Sequence, residues 1–418
     1  MTLKNIFYAQ SGGPTAVINA TACGLIQTAR QNSQRIGKVY AGENGIIGAL
    51  TENLIDTSQE SEETISALYH TPASAFGSCR YKLKSLEENS AEFQRIIAVF
   101  AAHNIGYFFY NGGNDSQDTT HKISQISQQL GYPLTCIGLP KTIDNDLSFT
   151  DTCPGFGSTA KYVAVSIREA SLDIASMAMT STKVFVLEVM GRHAGWIAAS
   201  AGLASESEGQ APHIILFPEI PFEVGRFVAK VKTTVEKHGC CAIVVSEGLK
   251  TRDGAFLTAS ELTDVFGHTQ LGGVAPVITH LIKRELGYRC HWAVSDYLQR
   301  SARHIASKTD LDQAYALGKS AIEFALAGKN NIMLTLERIQ QSPYIWTIGE
   351  VALEKVANAE RKMPLEFLTA DGFHITQACR DYLSPLIQGE CYPPYQNGLP
   401  DYVRLKKKYL PKLLSNSH

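Results

Sequence analysis

Between Lys141 and Asp146 the chain places an ammonium group, a hydroxyl and two carboxylates: Lys141, Thr142, Asp144 and Asp146, with Ile143 and Asn145 between them. A carboxylate beside a substrate hydroxyl can act as general base, and a second can hold a metal or orient the first. The segment directly follows an apolar run of strand length, Leu134–Leu139, which an ordinary charged surface turn does not require. A second group, Gly112-Gly113-Asn114-Asp115-Ser116, follows another such run, Ile105–Tyr110. Glycine backbone, an amide, a carboxylate and a hydroxyl can together hold polyphosphate oxygens and a hard cation such as Mg2+, which takes oxygen ligands and keeps several waters. A capped helix start would use the same residue types. Gly12 and Gly13 follow Asn5–Ala9, and glycine lets backbone N–H groups approach a phosphate closely. A tight turn would look alike. Met190-Gly191-Arg192 follow Val184–Val189, and an arginine there can bridge a phosphoryl group bidentately or sit in a salt bridge. His193 reads as a packing or capping residue. Glu247 follows Ala242–Val245 and can accept hydrogen bonds from a sugar. Arg80, Lys183, Tyr297 and Arg300 say little individually.

These side chains need rigid elements behind them. The runs Asn5–Ala9, Ile105–Tyr110, Leu134–Leu139, Val184–Val189, His213–Phe217 and Ala242–Val245 are almost continuously apolar. Strands covered by helices on both faces of a parallel sheet have this character. Helical stretches alternate with them: Thr15–Gln31, Ser116–Leu130, Ser158–Ser176, Glu223–Lys237 and Gly272–Leu286. The alternation predicts a doubly wound α/β protein. Ligands in such folds bind beyond the carboxyl ends of the strands, so the polar turns above should face one crevice.

The chain has 418 residues, enough for two to three domains, and 44% of them are hydrophobic, enough for a sizeable core. Its net charge of −2 argues against a nucleic-acid or anionic-membrane partner. An anionic substrate must therefore be met by local cations and backbone dipoles. The nine Cys show no metal-ligand spacing and read as reduced thiols of a cytoplasmic protein. No run approaches the ~20 apolar residues of a membrane span, and Met1–Ala9 has no long apolar segment of signal-peptide type. Lys406, Lys407, Lys408 and Lys412 read as a solvated terminal face.

Taken in order from Gln10-Ser11-Gly12-Gly13 through G-G-N-D-S, P-K-T-I-D-N-D and E-V-M-G-R-H-A-G-W to Leu298-Gln299-Arg300, these segments resemble the phosphofructokinase family. The resemblance implies two doubly wound, Rossmann-like α/β domains with the active site in the cleft between them. A phosphoryl-donor domain would span 1–145 with parts of about 305–400, and a sugar-phosphate domain 146–304. It further implies Mg2+ and fructose 6-phosphate as cofactor and acceptor, and residue roles. Asp144 would take the proton from the sugar 1-hydroxyl. Gly12, Gly13, Gly112, Gly113 and Ser116 would lie along the donor. Thr142, Ile143, Met190, Gly191, Arg192, Glu247, Tyr297, Arg300, Arg80 and Lys183 would contact the sugar phosphate or transferring group. Asn114, Asp115 and Asp146 would lie at the metal. Counterparts of Lys183 and Arg300 come from a neighbouring subunit in bacterial relatives, so at least a homodimer is expected.

Two positions bear on the donor. ATP-using members carry G-G-D-G-S and P-G-T-I-D-N-D, where this chain has Asp115 and Lys141 in place of glycine. A carboxylate at Asp115 would repel the α-phosphate of a nucleotide, and Lys141 would add a cation for pyrophosphate. The expected activity is therefore pyrophosphate-dependent phosphorylation of fructose 6-phosphate, reversible because phosphate is the second product. An ATP-dependent kinase of the same family and a non-catalytic regulatory subunit are the alternatives. A lipid or NAD kinase would lack P-K-T-I-D-N-D. Two departures stand out: Asn114 replaces the Asp that relatives link to Mg2+, and Ser301-Ala302 replace a Gly pair. Arg303, His304 and Lys308 are expected to complete the sugar-phosphate pocket.

Overall fold

The computed structural model describes residues 3–83, 88, 90–207, 209–258, 271–357 and 359–414. Twelve strands build two sheets: β1 Asn5–Ser11, β2 Val39–Gly42, β3 Leu54–Asp56, β4 Ser78–Cys79, β5 Ile105–Gly112, β6 Thr135–Pro140, β7 Val184–Val189, β8 Ile214–Leu216, β9 Cys241–Ser246, β10 Cys290–Val294, β11 Ile332–Gln340 and β12 Ile345–Ala352. The larger sheet has the order β12-β11-β6-β5-β1-β2-β3, with β4 alongside the end of β1; the smaller runs β10-β7-β9-β8. Pairing is parallel throughout the smaller sheet and from β2 to β11 in the larger. The edge pairs β2–β3 and β11–β12 are antiparallel. Both sheets are thus the helix-covered parallel kind that the apolar runs imply.

Successive side chains of β1 go to opposite faces and into separate cores. Ile6 and Tyr8 pack with Leu25 and Ile26 of the helix Ile18–Gln31 and with Leu317 and Ala321 of the helix Lys308–Leu326. Phe7 and Ala9 pack with Phe93 and Ile96 of the helix Ser90–Ala102 and with Ile123 of the helix Asn114–Gln129. The smaller sheet is sandwiched likewise. Leu187, Val189 and Val244 meet the helix Phe156–Met177, while Val186, Ile243 and Val245 meet Val224–His238 and Val274–Leu286. The helices Ile18–Gln31 and Lys308–Leu326 approach so closely that a Cβ on Gly24 or Gly318 would collide with the other helix's backbone.

After β10 the chain returns to the larger sheet to add β11 and β12, then leaves it again. Met363, Leu368, Ile375, Cys379 and Leu383 complete the core of the smaller sheet. The tail comes back once more: Leu410 N–H donates to Leu54 O, and the Leu413 N–H to the Glu52 carboxylate. The described part of the tail is therefore tied down by its backbone, although Lys406, Lys408 and Lys412 are exposed. All nine Cys are unpaired. Among the described residues no helix is long and apolar enough to cross a membrane.

Candidate active site

The strands β1, β5, β6, β7 and β9 all end at one cleft of about 770 Å3. A volume of that size suits one or two small polar ligands. Its walls include Gly12, Gly13, Arg80, Gly113, Asn114, Asp115, Ser116, Lys141, Thr142, Ile143, Asp144 and Asp146 on the side of the larger sheet. From the smaller sheet come Met190, Arg192, Glu247, Tyr297 and Arg300.

The turn after β1 takes Gly12 through a left-handed conformation, φ 75°, which a side chain would strain. The helix that follows starts at Ile18, not at Thr15, so Gly13 stands apart from its N-terminus. Gly13 instead offers its carbonyl to the Lys141 ammonium, 2.8 Å away. Its missing side chain makes room for Arg300, whose guanidinium would collide with a Cβ there. The β5 turn is tighter: Gly113 caps the helix Asn114–Gln129, placing Asn114, Asp115 and Ser116 in its first turn. Gly112 does not line the cleft; a Cβ on it would collide with the Ser116 hydroxyl. Asp115 is paired with Lys82 at 2.9 Å. Lys82 had no sequence signal, and its charge offsets that of Asp115.

After β6, Lys141 is almost fully buried, 4% exposed. Burial pushes its ammonium down to about 8, and the neighbouring Arg300 pushes the same way. Thr142 Oγ1 accepts the Asp144 N–H at 3.1 Å and faces the Asp144 carboxylate at 3.5 Å. Asn145 turns through the left-handed region, φ 56°, separating the two carboxylates. Burial raises both Asp144 and Asp146, and the latter reaches about 7 because Asp144 and Glu360 add negative charge beside it. Lys141 draws Asp144 back down.

Asn114 Nδ2 donates to Asp146 Oδ2 at 3.4 Å. The other oxygens of this pair, Asn114 Oδ1 and Asp146 Oδ1, are buried without a hydrogen-bond partner. An amide and a carboxylate in contact, each with one orphaned oxygen, suit a hard divalent cation that keeps water and substrate ligands.

On the opposite side Gly191 does not itself line the cleft: between Met190 and Arg192 it sits at φ 129° and donates its N–H to Glu247 at 3.3 Å, while its carbonyl accepts from Ser246 Oγ at 2.6 Å. Burial, with Asp144 next, pushes Glu247 up to about 7. The Arg300 guanidinium lies 4.0 Å over the Tyr297 ring. Glu188 turns away from the cleft to accept the Gly273 and Ala275 N–H groups of a helix start.

The sequence model of the phosphofructokinase family matches residues 5–325, a span that contains every turn just described. The chain belongs to the phosphofructokinase family. The pyrophosphate–fructose 6-phosphate 1-phosphotransferase of Methylococcus capsulatus is 63% identical over 100% of this chain and 99% of its own. Two crystal structures of pyrophosphate-dependent phosphofructokinases also resemble this chain. That from Marinobacter aquaeolei superimposes with a TM-score of 0.91 at 59% identity, covering 99% of both chains. That from Nitrosospira multiformis gives 0.92 at 60%, covering 99% of this chain and 100% of its own.

Within this family member, the residues singled out from sequence converge on the cleft with few exceptions. Lys183 precedes β7, at the end of the strand away from the cleft, and bonds to the Ala178 carbonyl. Arg303, His304 and Lys308 do not line the cleft, which corrects the expectation that they complete it. Arg303 is wholly buried and its Nη groups bond to Cys391 O, Tyr69 O and His70 Nδ1; Lys308 pairs with Asp312 on the surface. Conversely, Tyr81, His193, Asp296 and Glu360 line the cleft without having been singled out for it. Glu360 lies beyond the family match and more than two hundred residues from Asp144, so no local pattern could reveal it.

Proposed function

We propose that the protein transfers a phosphoryl group reversibly between pyrophosphate and the 1-hydroxyl of D-fructose 6-phosphate, yielding fructose 1,6-bisphosphate and phosphate. The observation that carries this reading is the presence of Lys141 and Asp115 on the wall of the cleft that holds Asp144. A buried ammonium and a carboxylate stand where nucleotide-using relatives keep bare glycine, an arrangement that suits a small diphosphate donor.

Pyrophosphate lies along Gly12–Gly13 and Gly113–Ser116, and the sugar along Met190–Arg192, Glu247, Tyr297 and Arg300. Asp144 accepts the proton as the sugar 1-oxygen forms its bond to the near phosphorus. The bond from that phosphorus to the bridging oxygen breaks in line, and the electron pair leaves with phosphate. Burial raises the affinity of Asp144 for a proton, the direction that favours a general base. Lys141 and Arg192 neutralise charge on the bridging and equatorial oxygens, as phosphoryl transfer rests on positioning and electrostatics. Asn114 and Asp146 would hold Mg2+ through their orphaned oxygens, with Asp115 close by; when bound, the ion neutralises and orients the diphosphate.

The protein is also proposed to form at least a homodimer. β10 is the open edge of its sheet and exposes Trp292 and Val294, with Leu298 beyond its end, an edge that asks for cover. Lys183 would reach a sugar-phosphate pocket only in a neighbouring copy. Light scattering on purified protein checks this, and a monomer at micromolar concentration refutes it. The activity is tested in reverse: with fructose 1,6-bisphosphate, phosphate and Mg2+, 31P NMR should show pyrophosphate appearing. Its absence, with ATP-driven phosphorylation intact in the forward direction, would refute the donor assignment.

A further inference from the structure

The turn that carries Asp144 and Asp146 is braced from its far side by a segment outside the family match. The Arg361 N–H donates to Asp146 O at 2.7 Å. Its side chain then crosses the far side of the turn. Nε donates to Asn145 O at 3.2 Å, Nη1 to Thr150 O at 2.8 Å and to Asp151 O at 2.7 Å, and Nη2 to Tyr382 Oη at 3.2 Å. Tyr382 Oη in turn accepts from Asn145 Nδ2 at 2.9 Å and donates to Asp151 O at 2.6 Å. Four of the five guanidinium donors are committed to this loop and to the tyrosine that braces it.

The same guanidinium stacks 4.6 Å from the ring centroid of Trp196, the first residue of the short helix after Met190–Gly195. Trp196 Nε1 donates back to Arg361 O at 3.5 Å. Arg361 therefore touches, from behind, both the turn bearing the base and the helix that anchors the sugar-side turn. The family match stops at residue 325, so Arg361 and Tyr382 belong to the extension that follows it.

We infer that Arg361 is a positioning residue for phosphoryl transfer: it locks the Asp144–Asp146 turn against the sugar-side turn, so that base and acceptor hydroxyl meet in register. It does not reach the reacting atoms. The inference rests on the proposed role of Asp144 as base. Its physical ground is that four carbonyl and phenol oxygens are held by one planar fork, which neither an ammonium nor an apolar chain reproduces. Asn145, caught in a left-handed conformation between the carboxylates, gives its carbonyl to that fork, while its amide donates to Tyr382 Oη and accepts the Cys153 N–H. Misplacing a base by about 1 Å costs about 100-fold in rate.

The test compares Arg361→Met and Arg361→Lys with Arg380→Met, whose guanidinium serves Ser205 O and Oγ away from the cleft. Asp144→Ser is run alongside, and each variant is corrected for its folded fraction by thermal unfolding. Arg361→Met should lower kcat about 100-fold while KM for both substrates stays within about threefold. Arg361→Lys should lie between it and wild type, and Arg380→Met should keep kcat within about twofold. A kcat for Arg361→Met within threefold of wild type, or a loss that Arg380→Met shares, overturns the inference. Should Arg361→Met not fold, Arg361→Lys decides, and wild-type kcat there overturns it. If Asp144→Ser itself turns over normally, the base assignment has failed. If Asp144→Ser is dead while the Arg361 variants are active, only the positioning role has.

Discussion

Replacing Asp115 with glycine should admit ATP, but only modestly. A carboxylate about 4 Å from a nucleotide α-phosphate would repel it by ~4 kcal/mol at an effective dielectric near 20. That figure assumes an unpaired, well-buried charge. The Asp115 side chain is 37% exposed, and Lys82 stands 2.9 Å from it. Solvent and the ammonium together reduce the penalty to ~1–1.5 kcal/mol, about tenfold in affinity. ATP is assayed as an inhibitor competing with pyrophosphate, so that its binding is read even without turnover. Asp115→Gly should lower the ATP inhibition constant about tenfold. Lys82→Met, which unmasks the carboxylate, should raise it by a similar factor relative to the constant for pyrophosphate. In the Asp115→Gly background, Lys82→Met should no longer change that ratio. An inhibition constant unmoved in Asp115→Gly would refute the like-charge account, as would a Lys82→Met effect of equal size with and without the carboxylate.

Three further outcomes follow from the same geometry. Asp144→Ser should cost about 10²–10⁴-fold in kcat while fructose 6-phosphate still binds by calorimetry; retained turnover would remove the base. Lys141 is protonated below its value of about 8 and loses its charge as pH rises through it, so kcat/KM for pyrophosphate should fall above about pH 8. Lys141→Arg keeps its charge and should flatten that limb, which a pH profile of the variant checks. Gly318→Ala forces a methyl into the backbone of the helix Ile18–Gln31 and should destabilise the fold by ~1–3 kcal/mol in urea unfolding, with no direct effect on the cleft.

How far the sequence carried the reading depends on whether the signal was local. β7 runs over Val184–Val189 as the apolar run predicts, and β1, β5, β6, β8 and β9 match their runs to within two residues at either end. Each is buried on both faces, so its apolar stretch is unbroken. β10 shows no continuous apolar run because it is an edge, with His291 and Trp292 exposed. β2, β3 and β4 are too short to show a period. The turns at the strand ends were legible because each concentrates its chemistry in a few consecutive residues. Lys82, Glu360 and Arg361 were not, since each acts through a contact made by the fold. Arg303 shows the converse: a cation near a motif in sequence whose side chain the packing turns inward, onto carbonyls.

Lys141 and Asp115 set this cleft for a diphosphate. The most direct measurement is kcat/KM of the purified protein for pyrophosphate and for ATP, with fructose 6-phosphate and Mg2+ held constant. Fructose 1,6-bisphosphate should form rapidly with pyrophosphate and little or not at all with ATP. Equal or greater efficiency with ATP would contradict it.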